Sequence, residues 1–382
     1  MIRKLLQYVW RSMGRHKARS TLTVLGIATA MFLFCFIEGL QKGVSEATES
    51  NATANQLIVF QQSRFCPATS KLPDRYAGII AKLPDVVSVL PIKIYVNNCR
   101  ASLDSVTFRG VPPESLTDGR NPVTLVSGSI DAFKKKSDGA LVGSRLAARR
   151  NLKVGDRYQI GNVAVGVTGI FTSEVPGDDN MALVNLEYLQ RAAGNDNLGH
   201  VTEFDVVLKD PSRAEQLCRE IDGLFQADEV PTTTKTHKAF ITSATGDLLG
   251  LVRFTRWLGF LCVGVVLSLT ANTVYVMVQD RIKEHAVLQT LGFTGRHLFF
   301  MVLVESVFLS LIGGVVGTGA AALALQFGHF GLGAEGVQIA FVLAPVVIGV
   351  GLLVSIATGL LAGIVPAIQA ACNPIVDSLR RI

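Results

Sequence analysis

Four uncharged apolar stretches, each about the length needed to carry a helix across a bilayer, constrain this chain more than any other feature. They run from Ser20 to Ile37, from Trp257 to Gln279, from Leu298 to about Phe327, and from Ile339 to Val365. The third is interrupted only by Glu305, and the fourth lies inside a charge-free run from Gly336 to Val376. Charged residues make up only 17% of the chain, below the ordinary soluble share of about 25%. A single soluble globule, a disordered chain and a collagen-like repeat are therefore excluded, and a membrane protein is expected.

The net charge of +6 does not point to nucleic acid, because of where it lies. Residues 42–250 carry 23 Lys and Arg against 24 Asp and Glu, while the rest carries 13 against 6. The excess cations flank the apolar runs: Arg3, Lys4, Arg11, Arg15, Lys17 and Arg19 before the first, then Arg281, Lys283 and Arg296, then Arg380 and Arg381. Cations favour the cytoplasmic side, so both termini are expected there and residues 42–250 outside. The expected layout is a basic amphipathic leader at 1–19, spans at 20–41, 251–279, 298–327 and 339–365, an inner loop at 280–297, a short outer loop at 328–338 and an inner tail at 366–382. The first span exceeds a signal-peptide core, and Glu38-Gly39-Leu40 makes a poor cleavage site, so a retained anchor is expected. In the leader, Leu5, Leu6, Val9 and Trp10 would face lipid if it lies along the inner surface; a simple topogenic charge cluster is the alternative reading.

Gly313 with Gly317 and Gly359 with Gly363 have the small-xxx-small spacing that lets membrane helices approach closely, and helix packing is their expected role. An intramembrane carboxylate is costly unless it faces protein or water, so Glu305 is expected to be structural, ahead of proton or substrate handling.

Residues 42–250 alternate strand and helix patterns. Gln56–Gln62, Val86–Leu90 and Val201–Leu208 read as strands, and Asp74–Leu83 and Pro211–Phe225 as helices, the second with Leu217, Ile221 and Leu224 on one face. A strand-rich lobe is expected at about 120–180. A helix close behind a strand fits a βαβ or split βαβ unit. The expected fold is four transmembrane α-helices plus an extracytoplasmic mixed α/β domain of two lobes on a helical stalk. Outside the membrane, Cys66 and Cys99 bridged in an oxidising compartment, with Cys218 free, and three unpaired thiols are two open readings. Cys35, Cys262 and Cys372 fall in or beside spans, as packing residues.

Catalytic signals are absent from the sequence. No GxxxxGK[ST], HExxH, CxxC or GxSxG occurs, and no metal-ligand spacing joins the six histidines. No catalytic residue, metal or cofactor is therefore expected in this chain. The acid pairs Asp178-Asp179 and Asp228-Glu229, and the run Lys134-Lys135-Lys136, read as solvated turns and loop, and the Asn51-Ala52-Thr53 sequon as chance.

The informative segment is the inner loop QDRIKEHAVLQTLGFTGRH. It has helical periodicity, with Ile282, Ala286 and Gln289 on one line and Val287, Leu288 and Leu291 on another, and Gly292 as a C-terminal stop. Such a helix suits docking into a groove on a cytoplasmic partner; an interfacial connector is the plain alternative.

At this point the sequence resembles the FtsX/MacB-type permeases of ABC transport systems. Their inner-loop signature, an R-x-x-E followed by an apolar helix ending in L-G, is matched by Arg281, Glu284, Val287, Leu288, Leu291 and Gly292. Their closing motif is matched by Gly359, Gly363, Pro366, Ala367, Ala370, Ala371, Pro374 and Leu379. The start TLTVLGIATAMFLF and the stretch GALVGSRLAARRNLKVGD are similar to their first span and outer domain. The resemblance implies a multi-pass protein of a bacterial inner membrane. It also implies a permease that pairs with a second copy or paralogue and binds cytoplasmic ABC ATPase subunits through the inner-loop helix. ATP and Mg would be bound by that partner, no ATPase being fused here, and the outer domain would move as the ATPases close. Efflux or other mechanotransmission, with a periplasmic adaptor in some members, follows; an FtsX-like scaffold that activates an extracytoplasmic cell-wall enzyme is the alternative. The outer domain, about 205 residues, is nearer the MacB size. His285 stands where an apolar residue is commoner, which implies an altered partner contact there.

Overall fold

The computed structural model describes residues 17–49, 55–64, 67–96, 106–173, 175, 177–194, 197–244, 246–328, 331–334, 337–341 and 344–372. The leader before Lys17, the sequon at Asn51, the Cys66–Cys99 bridge, and Pro374, Leu379, Arg380 and Arg381 of the tail lie outside the described residues.

In chain order, α1 (Lys17–Glu49) is followed by β1 (Gln56–Gln61), β2 (Leu72–Pro73), α2 (Tyr76–Ile80), β3 (Val86–Val96), β4 (Thr107–Val111) and β5 (Thr124–Gly128). Next come α3 (Ile130–Lys135), β6 (Gly139–Gly143), α4 (Ser144–Arg150), β7 (Arg157–Ile160), β8 (Val163–Thr172), β9 (Met181–Asn185) and α5 (Leu186–Ala192). Then follow β10 (His200–Val201), β11 (Glu203–Leu208), α6 (Ala214–Phe225), β12 (Thr232–Thr236) and α7 (His237–Ala244). The chain continues as α8 (Gly246–Asp280), α9 (Ile282–Thr290), α10 (Gly295–Gly328), the hairpin strands β13 (Gly331–Ala334) and β14 (Val337–Ala340), and α11 (Pro345–Cys372).

The chain divides into two units: a helical one of residues 1–39, 251–327 and 343–382, and an α/β one of residues 40–250 and 328–342. Four helices among the described residues are long and apolar enough to cross a membrane: Ser20–Gly43, Trp257–Asp280, Gly295–Gly328 and Pro345–Cys372. The first two sit in longer helices, α1 running on to Glu49 and α8 starting at Gly246. Within the bundle the glycines are contact points. A Cβ on Gly317 would run into the Ala28 carbonyl of α1, and one on Gly313 would lie 2.7 Å from Ile27. On α11, a Cβ on Gly359 or Gly363 would lie 2.8 Å from Ser310 or Ser306 of α10. Lacking side chains, these positions let the backbones close up where lipid supplies no hydrophobic drive.

The fourth span differs from its expected bounds. Ile339 and Ala340, read as the start of a span, belong to β14, and α11 begins only at Pro345, whose fixed φ suits a first helical turn. Hydropathy cannot separate the end of a strand from a helix when both lie in one charge-free run, as β14 and α11 do. The hairpin packs within the α/β unit: Gln338 donates to the Thr107 hydroxyl at 3.0 Å, and Arg145 to the Phe341 carbonyl at 3.2 Å.

The α/β unit is built on one sheet in the order β12-β1-β11-β3-β4-β9-β6-β8-β5, with β7 beside β8. The two expected lobes thus share a sheet, because β3 is longer than the Val86–Leu90 read from the sequence. Its first half pairs β11, and its second half, Lys93–Val96, pairs β4. Each half covers its own core, one around Tyr76, Phe204 and Phe225 and the other around Phe108, Val142 and Val165. Both β11 and β12 run antiparallel to β1 between them, so β11-α6-β12 is a split βαβ unit. On α6 the buried ladder is Leu217, Ile221 and Phe225; Leu224 is 49% exposed and lies off the expected face, since i, i+4 steps carry the stripe to Phe225. Lys134 and Lys135, read as loop, close the last turn of α3, where cations suit the helix dipole.

Candidate coupling helix and a polar cavity

The helix α9 follows α8 after the single non-helical residue Arg281. Its end is a Schellman motif: the Phe293 N–H donates to Leu288 O at 3.1 Å, the Gly292 N–H to Gln289 O at 3.0 Å, and Gly292 has φ of 95°. That left-handed conformation is why glycine serves here, and it ends the helix at the residue the sequence indicates.

The phase of α9 decides what each expected residue can do. His285 and Ala286 are buried against the bundle, whereas Lys283, Glu284, Val287 and Leu291 are exposed and Leu288 is half-buried. Leu291 is 72% exposed and Val287 50%, and Phe293, which the sequence reading passed over, adds a third exposed apolar side chain at 46%. Two expectations change. Arg281 is turned into the bundle, 6% exposed, with its Nη1 bonded to both Glu305 oxygens at 3.1 and 3.3 Å, so it braces α9 against α10 and is not presented outward. His285 also faces inward, which removes it from any partner contact, and its Nδ1 has no hydrogen-bond partner. Burial, then the Arg281 charge, lowers its pKa and keeps the ring neutral. Glu305 is itself 6% exposed. A buried pair like this costs desolvation and is favourable only with good geometry, which two-oxygen contact supplies.

The α/β unit holds a second feature, a cavity of about 350 Å³. Its floor is the face of β1, β11, β3 and β4 opposite the Phe204 core. Glu203 and Asp205 point to it because alternate residues of a strand share a face. Across it lie His237, Phe240 and Ile241 of α7, Gln338 of β14, and Asp178. Arg109 on β4 is ion-paired with Asp205. Asp178 accepts from the Ser173 hydroxyl at 3.0 Å, and Asp179 from the Ser173 N–H at 2.9 Å, so this acid pair is not a solvated turn. The other pair, Asp228-Glu229, is surface-exposed beside Arg75. Desolvation raises the pKa of Asp178, Asp205 and Glu203, the last to about 8, and lowers that of His237 to about 4. Among the described residues no His, Cys, Asp and Glu cluster suits a metal ion. Cys218 is a half-buried free thiol with its pKa pushed up to about 11 by burial.

The chain combines four helices long and apolar enough to cross a membrane with an α/β domain inserted after the first. The chain belongs to the family described as having a MacB-like periplasmic core domain, matched over residues 21–224, and the FtsX-like permease C-terminal model matches residues 257–374. It is an ABC transporter permease of the MacB/FtsX type. An ABC transporter permease of Mycobacterium tuberculosis is 24% identical over 98% of this chain and 43% of its own length. The pyoverdine export ATP-binding/permease protein PvdT of Pseudomonas fluorescens is 25% identical over 96% of this chain and 57% of its own length. The macrolide export protein MacB of Neisseria meningitidis is 24% identical over 82% of this chain and 52% of its own length. The chain therefore spans about half the length of these curated relatives. The solved periplasmic region of MacB from Actinobacillus actinomycetemcomitans is 12% identical over 51% of this chain and 96% of that one, with a TM-score of 0.35.

Proposed function

We propose that this permease converts the ATP cycle of a separate cytoplasmic ABC ATPase into motion of its α/β domain, and that α9 is the element the ATPase grips. The observation behind this reading is the outward apolar patch of Val287, Leu291 and Phe293 on a short helix braced from behind by Arg281 and Glu305. A patch that is to be pushed needs both properties: apolar surface to dock, and a stiff link to the bundle. Full burial of one such side chain is worth about 1.5–3 kcal/mol before the costs of association.

In this reading the protein sits in a bacterial inner membrane with α9 and both termini in the cytoplasm, in line with the Lys and Arg beside the spans. It works as a dimer with a second copy or paralogue, and ATP and Mg belong to the ATPase. The cargo is extruded or acted on at the α/β domain, with a periplasmic adaptor where an outer membrane has to be crossed. The test is affinity purification from native membranes of the unaltered chain beside Leu291→Glu. Capture of an ABC ATPase by the first and not the second is expected; equal capture by both sinks the assignment of α9.

A further inference from the structure

The cavity in the α/β unit is unbalanced in charge. Three carboxyls, on Asp178, Glu203 and Asp205, and two guanidiniums line it. Arg120, toward the rim, is committed to Asp118 at 2.6 Å, and Arg109 to Asp205. Glu203 is 4% exposed, paired through its backbone with β1 and β3, and its carboxyl makes no hydrogen bond or ion pair among the described residues. Asp205 Oδ1 and Arg109 Nε are likewise buried without a hydrogen-bond partner. Among the described residues, the charged or titratable groups facing Glu203 are Arg109 from β4, Asp205 from β11, Asp178 from the turn before β9, and a neutral His237 from α7. On β12, Lys235 shares the face of Asp205 through Ile58, but its ammonium bonds Ser243 at 3.1 Å and lies over the Phe60 ring.

Three buried acids share one nearby guanidinium, and burial favours the protonated form of the one left over, Glu203; a cation placed beside it would let it ionise. The walls say what kind of group. Ile58, Leu90, Phe240 and Ile241 give an apolar surface beside the carboxyls, and the volume is that of a small-molecule site. A neighbouring hollow along Asn55, Asp118 and Arg120 shares Gln56, Ser88 and Pro122 with the cavity and offers a way in.

We propose that this cavity binds a small organic cation, an ammonium group on an apolar body, with the ammonium against Glu203 and the body against Phe240 and Ile241. The site is independent of how α9 couples to its partner. Binding carries a proton balance: Glu203 is protonated at neutral pH, since burial raises its pKa to about 8, and an ammonium beside it drives that proton to the buffer. Affinity therefore rises with pH up to that value, then levels.

The test uses the full chain in lipid nanodiscs and isothermal titration at neutral pH with 2-phenylethylamine hydrochloride as probe. The neutral 2-phenylethanol and the anionic phenylacetate, which match its chain length, serve as comparators. Two buffers of different ionisation enthalpy report the proton. The amine is expected to bind at least about tenfold tighter than the alcohol, with close to one proton released per amine bound. Glu203→Gln should lose that margin and the proton release together. Ile241→Trp, which fills the cavity without touching a charge, should abolish saturable binding while leaving the unfolding temperature near that of the unaltered chain. Equal affinity for amine and alcohol, an unchanged affinity in Glu203→Gln, or no saturable amine binding would each overturn the proposal.

Discussion

The helical bundle and the α/β unit each bury charge, and they do so in opposite ways. In the bundle, Arg281 meets Glu305, one cation on one anion, among helices whose glycines leave no room between backbones. In the α/β unit, Arg109 stands among three carboxyls beside a cavity of about 350 Å³. Charge that is matched and packed acts as a fastener. Charge left unmatched next to open volume marks a place where something else is meant to fit.

The comparison is broken most directly at the fastener. Glu305→Ala leaves the Arg281 guanidinium buried without its carboxylate and should cost about 3–5 kcal/mol in denaturation of the purified protein. Replacing both partners, as Arg281→Met with Glu305→Leu, should recover most of that loss; a double substitution as damaging as the single one would show the pair is not the unit.

Next in size is the close packing. Gly317→Ala drives a methyl into the Ala28 carbonyl and should cost about 1–3 kcal/mol, whereas Gly319→Ala, with nothing within 4 Å of its Cβ, should change stability by less than about 0.5 kcal/mol. Equal effects in a thermal melt would contradict the assigned contact.

At the cavity the sign is reversed. The folded pKa of Glu203 lies near 8 against an ordinary value of 4.5, so between these the folded chain holds a proton the unfolded chain has released. Stability should then fall as pH rises through that window and level off above it. Glu203→Gln should flatten this slope and be the more stable chain by at least about 1 kcal/mol at the alkaline end, with little difference at the acid end. A melt series across pH that gives parallel curves would remove the unmatched carboxyl from the account.

The smallest expected effect is at α9. Leu291→Glu lies on an exposed surface and should alter stability by less than about 0.5 kcal/mol while removing the partner's response. This separation of folding from coupling is what a docking surface requires.

The features that were legible in the sequence were those carried by local period. Four apolar runs correspond to four long helices, Gly292 ends α9, and most of the strand expected at 201–208 is β11, although Val201 belongs to β10. What lay beyond reach depended on partners far along the chain. Glu203 and Asp205, two apart in EFDVVL, fall on one strand face, but that the face is covered depends on α7 and on Gln338. The family-like match at Arg281 marked the residue without its direction, since only the distance to Glu305 shows that it points inward. The last residues of the hairpin, Ile339 and Ala340, are hidden in the sequence because they run without a charge into α11. The burial of His285 follows from the rotation of α9 about its axis, which residue type alone does not show.

The central claim is that an ABC ATPase grips the outward face of α9, and photocrosslinking in native membranes tests it. Benzoylphenylalanine is placed at position 291 in one chain and at position 316, an exposed site midway along α10, in another. The account predicts a crosslink to an ABC ATPase from position 291 and none from position 316. No ATPase adduct from 291, or equal adducts from both, would contradict it.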